Sequence, residues 1–206
     1  MERSALHNAG SWLARRAAMS GERVALIEEV ARGESEVGPA GERSALHRTL
    51  DYRTLEERCA RCAAWLRQMG VARGDRVAIL LANRAAFLET VFAAARLGAV
   101  ALPINTRLAP PELRQILDDA EPRVLLHEAE LEERVARACA GMTDPPQRLA
   151  VGAAPDAYER ALAAHAPDFS VAPVTPDDPM ILMYTSGTTG TPKGALLPHR
   201  KTLFNS

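Results

Sequence analysis

Met180-Ile181-Leu182-Met183 runs into Tyr184-Thr185-Ser186-Gly187-Thr188-Thr189-Gly190-Thr191-Pro192-Lys193-Gly194, and Ala195-Leu196-Leu197 follows. The two apolar runs each have the length of one buried strand. The segment from Tyr184 to Gly194 holds three glycines, five hydroxyl side chains besides the tyrosine's, and one lysine. A loop of this composition between two strands offers N–H and hydroxyl donors to an oxyanion and an ammonium to neutralise its charge. Gly187 and Gly190 let the backbone approach a ligand without a Cβ in the way.

Outward from this stretch the chain alternates short apolar runs with helical patterns. Residues 6–19, with Leu6, Trp12, Leu13 and Ala17, suit a short amphipathic helix, and residues 23–27 a strand. Residues 33–43 are polar and glycine-rich and read as a solvated hairpin loop or insertion. A helix follows Leu50-Asp51-Tyr52-Arg53-Thr54-Leu55 and ends near Gly70, a suitable C′ glycine. Residues 77–81 form a continuous apolar run. Asn83 is positioned as an N-cap for a helix with Phe87, Leu88, Val91, Phe92 and Ala95 as its buried stripe and Gly98 as its stop. Strands are expected at 99–102, 123–126 and 148–151, and helices from Pro110, over 130–140 and over 158–164. Residues 166–179 carry four prolines and three aspartates and read as an exposed connection. Repeated β-α-β order with two-sided apolar strands predicts an α/β fold, a mostly parallel sheet flanked by helices.

The loop does not satisfy G-x-x-x-x-G-K-[ST], because Gly194 follows Lys193, and it leads to a strand rather than opening a helix. No G-x-G-x-x-G fingerprint occurs. The bland alternative is a Ser/Thr/Gly-rich surface turn. Continuous over its eleven positions, however, Y-T-S-G-T-T-G-x-P-K-G resembles the signature phosphate loop of the acyl-adenylate-forming synthetases, which include acyl-CoA ligases, peptide-synthetase adenylation domains and beetle luciferases. Two earlier stretches are also similar to that family, in family order. Leu50 to Leu55 matches L-[TS]-Y-x-E-L except at Asp51 and Thr54, and Leu97 to Asn105 resembles L-K-A-G-x-A-Y-V-P-[IL]-[DN], placed in the chain in agreement with the loop assignment.

The resemblance implies a ligase in which a carboxylate attacks the α-phosphate of ATP, giving acyl-adenylate and pyrophosphate, before the thiol of coenzyme A displaces AMP. It implies that Thr185, Ser186, Gly187, Thr188, Thr189, Gly190 and Lys193 bind the nucleotide, with Lys193 also catalytic and Thr185 at Mg²⁺. Residues 1–206 then form an incomplete N-terminal portion of the large AMP-binding domain. Residues 1–170 form a βαβ subdomain, and 171–206 supply connection, strand, loop and strand. The C-terminal domain lies outside the chain. A fatty acid is the expected substrate of the intact enzyme, and the chain alone is expected to be inactive and, with an open sheet edge, prone to aggregate. The alternatives are a peptide-synthetase or aryl-acid adenylation fragment, and a truncated non-catalytic paralogue acting as a binding module.

Composition fits this picture. The chain is 47% hydrophobic and 25% charged with a formal net charge of −1, which gives no electrostatic case for nucleic acid or an anionic membrane. Only Lys193 and Lys201 among the 25 basic residues are lysines, so the ammonium in the loop departs from the chain's preference for Arg. Cys59-Ala-Arg-Cys62 is formally C-x-x-C, but Leu55, Cys59, Cys62, Leu66 and Met69 share one helical face and no second ligand pair follows, so core packing is expected. Met1-Glu2-Arg3 opens without an apolar h-region and no run approaches membrane length, so a reducing cytoplasm is the expected compartment, with a homodimer as a compatible assembly. His7, His47, His127, His165 and His199 lack catalytic partners at useful spacing, and the acids from Glu128 to Glu133 read as a solvated helix N-terminus.

Overall fold

The computed structural model describes residues 8–30, 46–185 and 192–204. The loop residues 186–191 and the expected insertion at 33–43 therefore lie outside the described residues. A 3-10 turn, Ala9–Ser11, leads into α1 (Trp12–Ser20), and β1 (Val24–Val30) pairs antiparallel with β2 (Leu46–Asp51). Next come α2 (Tyr52–Gln68), β3 (Arg76–Leu80), α3 (Ala85–Leu97), β4 (Val100–Pro103), α4 (Pro110–Ala120) and β5 (Val124–Glu128). They are followed by α5 (Glu132–Cys139), β6 (Gln147–Val151), α6 (Ala157–Ala163), β7 (Pro179–Thr185), β8 (Lys193–Pro198) and α7 (His199–Phe204).

β3 to β8 form one sheet in the order β6-β5-β3-β4-β7-β8, parallel throughout except for β8. The connection from β3 to β4 steps one way across it, and those from β4 to β5 and β5 to β6 step the other way. Crossovers of one hand then place α3 on one face and α4 and α5 on the opposite face. The side chains show the same division. Val77, Ile79, Ala101, Val124 and Leu126 pack with α2, α3 and α6, while Ala78, Leu80, Val100, Leu102 and Leu125 pack with α4 and α5. Two-sided burial is why these strands read as unbroken apolar runs.

Local signals set the helix ends. Asp51 accepts the Thr54 N–H at 2.7 Å and caps α2, so the aspartate at that motif position does the work of a Ser or Thr. Gly70 (φ +80°) follows α2, and Gly98 (φ +68°) ends α3 in the left-handed region that glycine occupies without penalty. Cys59 and Cys62 are fully buried with Leu55 and Leu66, and burial pushes the Cys62 thiol up to about 12. Burial of both thiols, and the rise it causes in their pKa values, fits the core packing expected of this C-x-x-C.

Three expectations need correction. Arg84, not Asn83, is the N-cap of α3, and the first helical N–H, of Ala85, is taken by Glu28 Oε1 at 3.0 Å from β1. On α3, Val91 and Ala95 are buried but Phe87, Leu88 and Phe92 are only half-buried. The helix lies between the sheet and α2, where Ala93, Ala94 and Ala95 allow close approach. Residues 166–179 are exposed or half-buried apart from Val174, as expected of the connection, and they are tied down by hydrogen bonds. Asp168 N–H donates to Ala60 O at 3.1 Å, Ala172 N–H donates to Arg96 O at 2.8 Å in the last turn of α3, and Val174 is buried. Finally, β8 is not a buried strand. It pairs on one side only among the described residues, with Leu196 61% exposed.

Charge is also buried between the helices. Arg58 of α2 contacts Glu89 of α3 at 2.6 Å and Glu159 of α6 at 2.7 Å, and the Tyr158 hydroxyl donates to Glu89 at 2.7 Å. Burial disfavours the charged guanidinium, yet hydrogen bonds to Glu159 and Glu89 outweigh it and raise the Arg58 pKa. Glu89→Ala leaves that guanidinium and the buried phenol short of an acceptor, and is expected to cost about 3–5 kcal/mol in urea unfolding. A loss below about 1 kcal/mol, the range of an exposed pair, would contradict this account.

Candidate nucleotide site

β7 and β8 form an antiparallel hairpin whose last register pairs are Tyr184 with Gly194 and Thr185 with Lys193. The carboxyl end of β7 and the start of β8 thus stand opposite each other at the mouth of the loop. Directly opposed residues in such a pair have Cβ atoms about 4.5–5.5 Å apart, so Thr185 and Lys193 project from the same face of the hairpin. Both residues are exposed, and among the described residues Lys193 makes no ion pair. Because β7 is parallel to β4, the loop emerges at the carboxyl edge of the sheet, where open α/β sheets bind ligands. Ser186, Gly187, Thr188, Thr189 and Gly190 lie outside the described residues.

The other candidates are dispersed. His199 is fully buried at the opposite end of the hairpin, just after Pro198, which pairs with Pro179. Its Nδ1 accepts the Ala9 N–H at 3.2 Å, which ties the N-terminal segment to the sheet. His127, also buried, contacts Glu132 at 3.2 Å, and His165 contacts Ala161 O at 2.6 Å. His47 is exposed in β2, and His7 lies outside the described residues. In the acidic run, Glu132 and Glu133 begin α5, but Glu128 is half-buried and accepts from the Ala82 N–H at 2.9 Å and from Arg84 at 2.6 Å. Among the described residues no group of three or more His, Cys, Asp or Glu is placed to hold a metal ion.

Two further clefts lie on the sheet. One, of about 580 Å³, is lined by Glu28, Arg48, Arg84, Glu128, Asp156 and Glu159. Two of its carboxylates are paired, Glu128 with Arg84 at 2.6 Å and Glu159 with Arg48 at 3.1 Å, and carboxylates outnumber arginines in its lining. The other, of about 470 Å³, lies around the starts of β3, β5 and β6 and contains Arg76, Arg114 and Arg123. Arg76 and Arg114 donate to the backbone carbonyls of Ala120 and Ala140, and Arg123 lies 3.8 Å from Asp75. Sequence spacing signals neither cleft, because each is assembled from elements far apart in the chain.

A layered parallel sheet with a hairpin loop opening at its carboxyl edge is the architecture of an α/β ligand-binding domain. The profile of the AMP-binding enzyme family matches residues 13–206. A feruloyl-CoA synthase of an Amycolatopsis species is 44% identical over 156 residues, 76% of this chain and 30% of that protein. The long-chain-fatty-acid–CoA ligase FadD13 of Mycobacterium tuberculosis is 39% identical over 150 residues, 73% of this chain and 30% of that protein. A solved fatty acyl CoA synthetase of M. tuberculosis superposes with a TM-score of 0.75 at 32% identity, over 95% of this chain and 35% of that one. The anthranilate CoA ligase AuaEII, in complex with anthranoyl-AMP, gives a TM-score of 0.82 at 25% identity, over 96% of this chain and 36% of that one. The chain belongs to the AMP-binding enzyme family, the adenylate-forming enzymes, and spans about 30% of the length of these curated relatives.

Burial lowers the His199 pKa, partly opposed by the nearby Asp178 carboxylate. The folded state therefore holds a neutral imidazole, while the unfolded chain binds a proton near pH 6.5. The stability this group contributes is present above that pH and is lost as pH falls towards the folded pKa. Urea midpoints at pH 7 and pH 5 are expected to separate more for the wild type than for His199→Gln. Equal separations would contradict the buried neutral assignment.

Proposed function

We propose that this chain is the N-terminal, loop-bearing part of an ATP-dependent ligase that converts a carboxylic acid to acyl-adenylate and then to its coenzyme A thioester. The observation that carries this is the β7–β8 hairpin, which sets Thr185 opposite Lys193 at the carboxyl edge of the sheet. The exposed hydroxyl and ammonium are a donor set suited to phosphate oxygens. ATP supplies the phosphorus that the carboxylate attacks and a pyrophosphate leaving group. The roles assigned to the chain are to bind and orient. Lys193 neutralises charge that builds on the leaving phosphates, Thr185 donates its hydroxyl, and Ser186, Gly187, Thr188, Thr189 and Gly190 complete the cradle. Thr185 is the single described residue assigned to Mg²⁺. One neutral hydroxyl does not make a metal site, so no step is routed through the ion.

A fatty acid is the proposed substrate class, supported by the likeness to FadD13. An aryl acid is the second reading, favoured by the 44% identity to a feruloyl-CoA synthase. Small-molecule partners and a cytoplasmic setting complete the proposal, supported by three free cysteines and by the absence, among the described residues, of a helix long and apolar enough to cross a membrane.

ATP–pyrophosphate exchange by the full-length protein, with long-chain, cinnamic and benzoic acids in parallel, separates the two readings. Exchange with fatty acids alone upholds the first and with aryl acids alone the second, while exchange with none contradicts the ligase assignment. Lys193→Ala is expected to slow exchange about a hundredfold, roughly 3 kcal/mol of transition-state stabilisation, with an unchanged unfolding midpoint. Unaltered exchange would remove Lys193 from the proposed chemistry.

A further inference from the structure

The base of the hairpin is held by side chains that the loop motif does not explain. Tyr184 and Gly194 are cross-strand partners one step below the Thr185–Lys193 pair. A Cβ on Gly194 would stand 2.9 Å from Leu182 Cδ1 and 3.4 Å from Tyr184 Cζ. A bare Cα at position 194 therefore lets the Leu182 methyl close over the β8 backbone, with the phenol ring in ordinary contact beside it. The Tyr184 hydroxyl then donates to Asp119 Oδ2 in α4. Leu113, Ile116 and Leu117 bury α4 against the sheet in the same core as Leu182, with Tyr184 packed at its margin. The phenol consequently joins the loop end of the hairpin, where β8 is exposed, to a helix fixed by the core. Burial first, and then the hydrogen bond to Asp119, raises the phenol pKa, so it remains a donor at neutral pH.

We propose that Asp119 and Tyr184 are a positioning pair that pins the β7–β8 hairpin to α4, so that Thr185 and Lys193 meet the nucleotide at a fixed height. Neither Asp119 nor Tyr184 touches the reacting atoms in this scheme. The kinetic part rests on the ligase reading above, but the pin itself does not. The pin explains why a weakly buried edge hairpin can hold a binding loop. Strand β8 has one neighbour among the described residues and exposes Leu196, so packing alone restrains it little.

The test uses Tyr184→Phe, Asp119→Ala and the double variant in the full-length protein. Amide hydrogen exchange of residues 181–185 and 193–197 is read alongside the KM for ATP and kcat in pyrophosphate exchange. Each single change is expected to speed amide exchange in the hairpin, leave that in β3 and β5 unchanged, and raise the KM for ATP roughly tenfold, the effect of one hydrogen bond to a charged group. The double variant should be no worse than either single one, because both remove the same bond. Wild-type amide exchange in the hairpin overturns the pin. Faster amide exchange with unchanged ATP kinetics overturns the positioning role and leaves a structural contact, as do single effects that add in the double variant. If the parent protein catalyses no pyrophosphate exchange with any acid, the ligase reading fails instead. The amide data then decide the pin alone, faster exchange upholding it and unchanged exchange overturning it.

Discussion

A parallel strand has two faces to bury, and that constraint organises this chain. Leu125 and Leu126 are neighbours in β5 yet belong to different cores, one under α4 and α5 and the other under α2, α3 and α6. Each buried side chain of this size contributes about 1.5–3 kcal/mol relative to exposure, so neither face can be left bare. With crossovers of a single hand, the only way to cover both faces is to reverse direction along the sheet. The step from β3 to β4 and the return from β4 to β5 make that reversal. It brings every β-to-α loop to the carboxyl edge, where the β7–β8 hairpin opens too.

Polar links made across the cores complement this packing. Glu89 gathers Arg58 and Tyr158 from α2 and α6, Glu28 reaches from β1 to the first N–H of α3, and His199 holds the Ala9 N–H. Each link crosses between elements that hydrophobic contact alone would leave free to slide. The strap at Ala172 does the same with backbone, ending α3 by satisfying the Arg96 carbonyl. The loop at the edge thus stands on elements whose relative positions are fixed by directional contacts.

The strands were legible in the sequence because burial on both faces leaves no polar residue in the run, as in Val77 to Leu81 and Val124 to Leu126. Gly70 and Gly98 marked helix ends because the left-handed backbone there suits no other residue as well. What could not be read was contact between distant positions. The cap of α3 comes from Glu28, 57 residues away from Ala85, so Asn83 was the better local candidate and still the wrong one. The pairing of Arg58 with Glu89 and Glu159 spans 31 and 101 residues, beyond the reach of any local pattern. At the site, the loop was legible as a run of donors. The hydrogen bond from Tyr184 to Asp119, 65 residues earlier, left no trace in local pattern.

The central claim is that the hairpin between β7 and β8 is the oxyanion-binding element of the sheet. The most direct measurement is residue-resolved amide chemical-shift mapping of the protein titrated with pyrophosphate. The account predicts saturable shifts centred on residues 185–194, with the arginine cleft around Arg76, Arg114 and Arg123 unmoved. Saturable shifts in that cleft, with residues 185–194 silent, would contradict it.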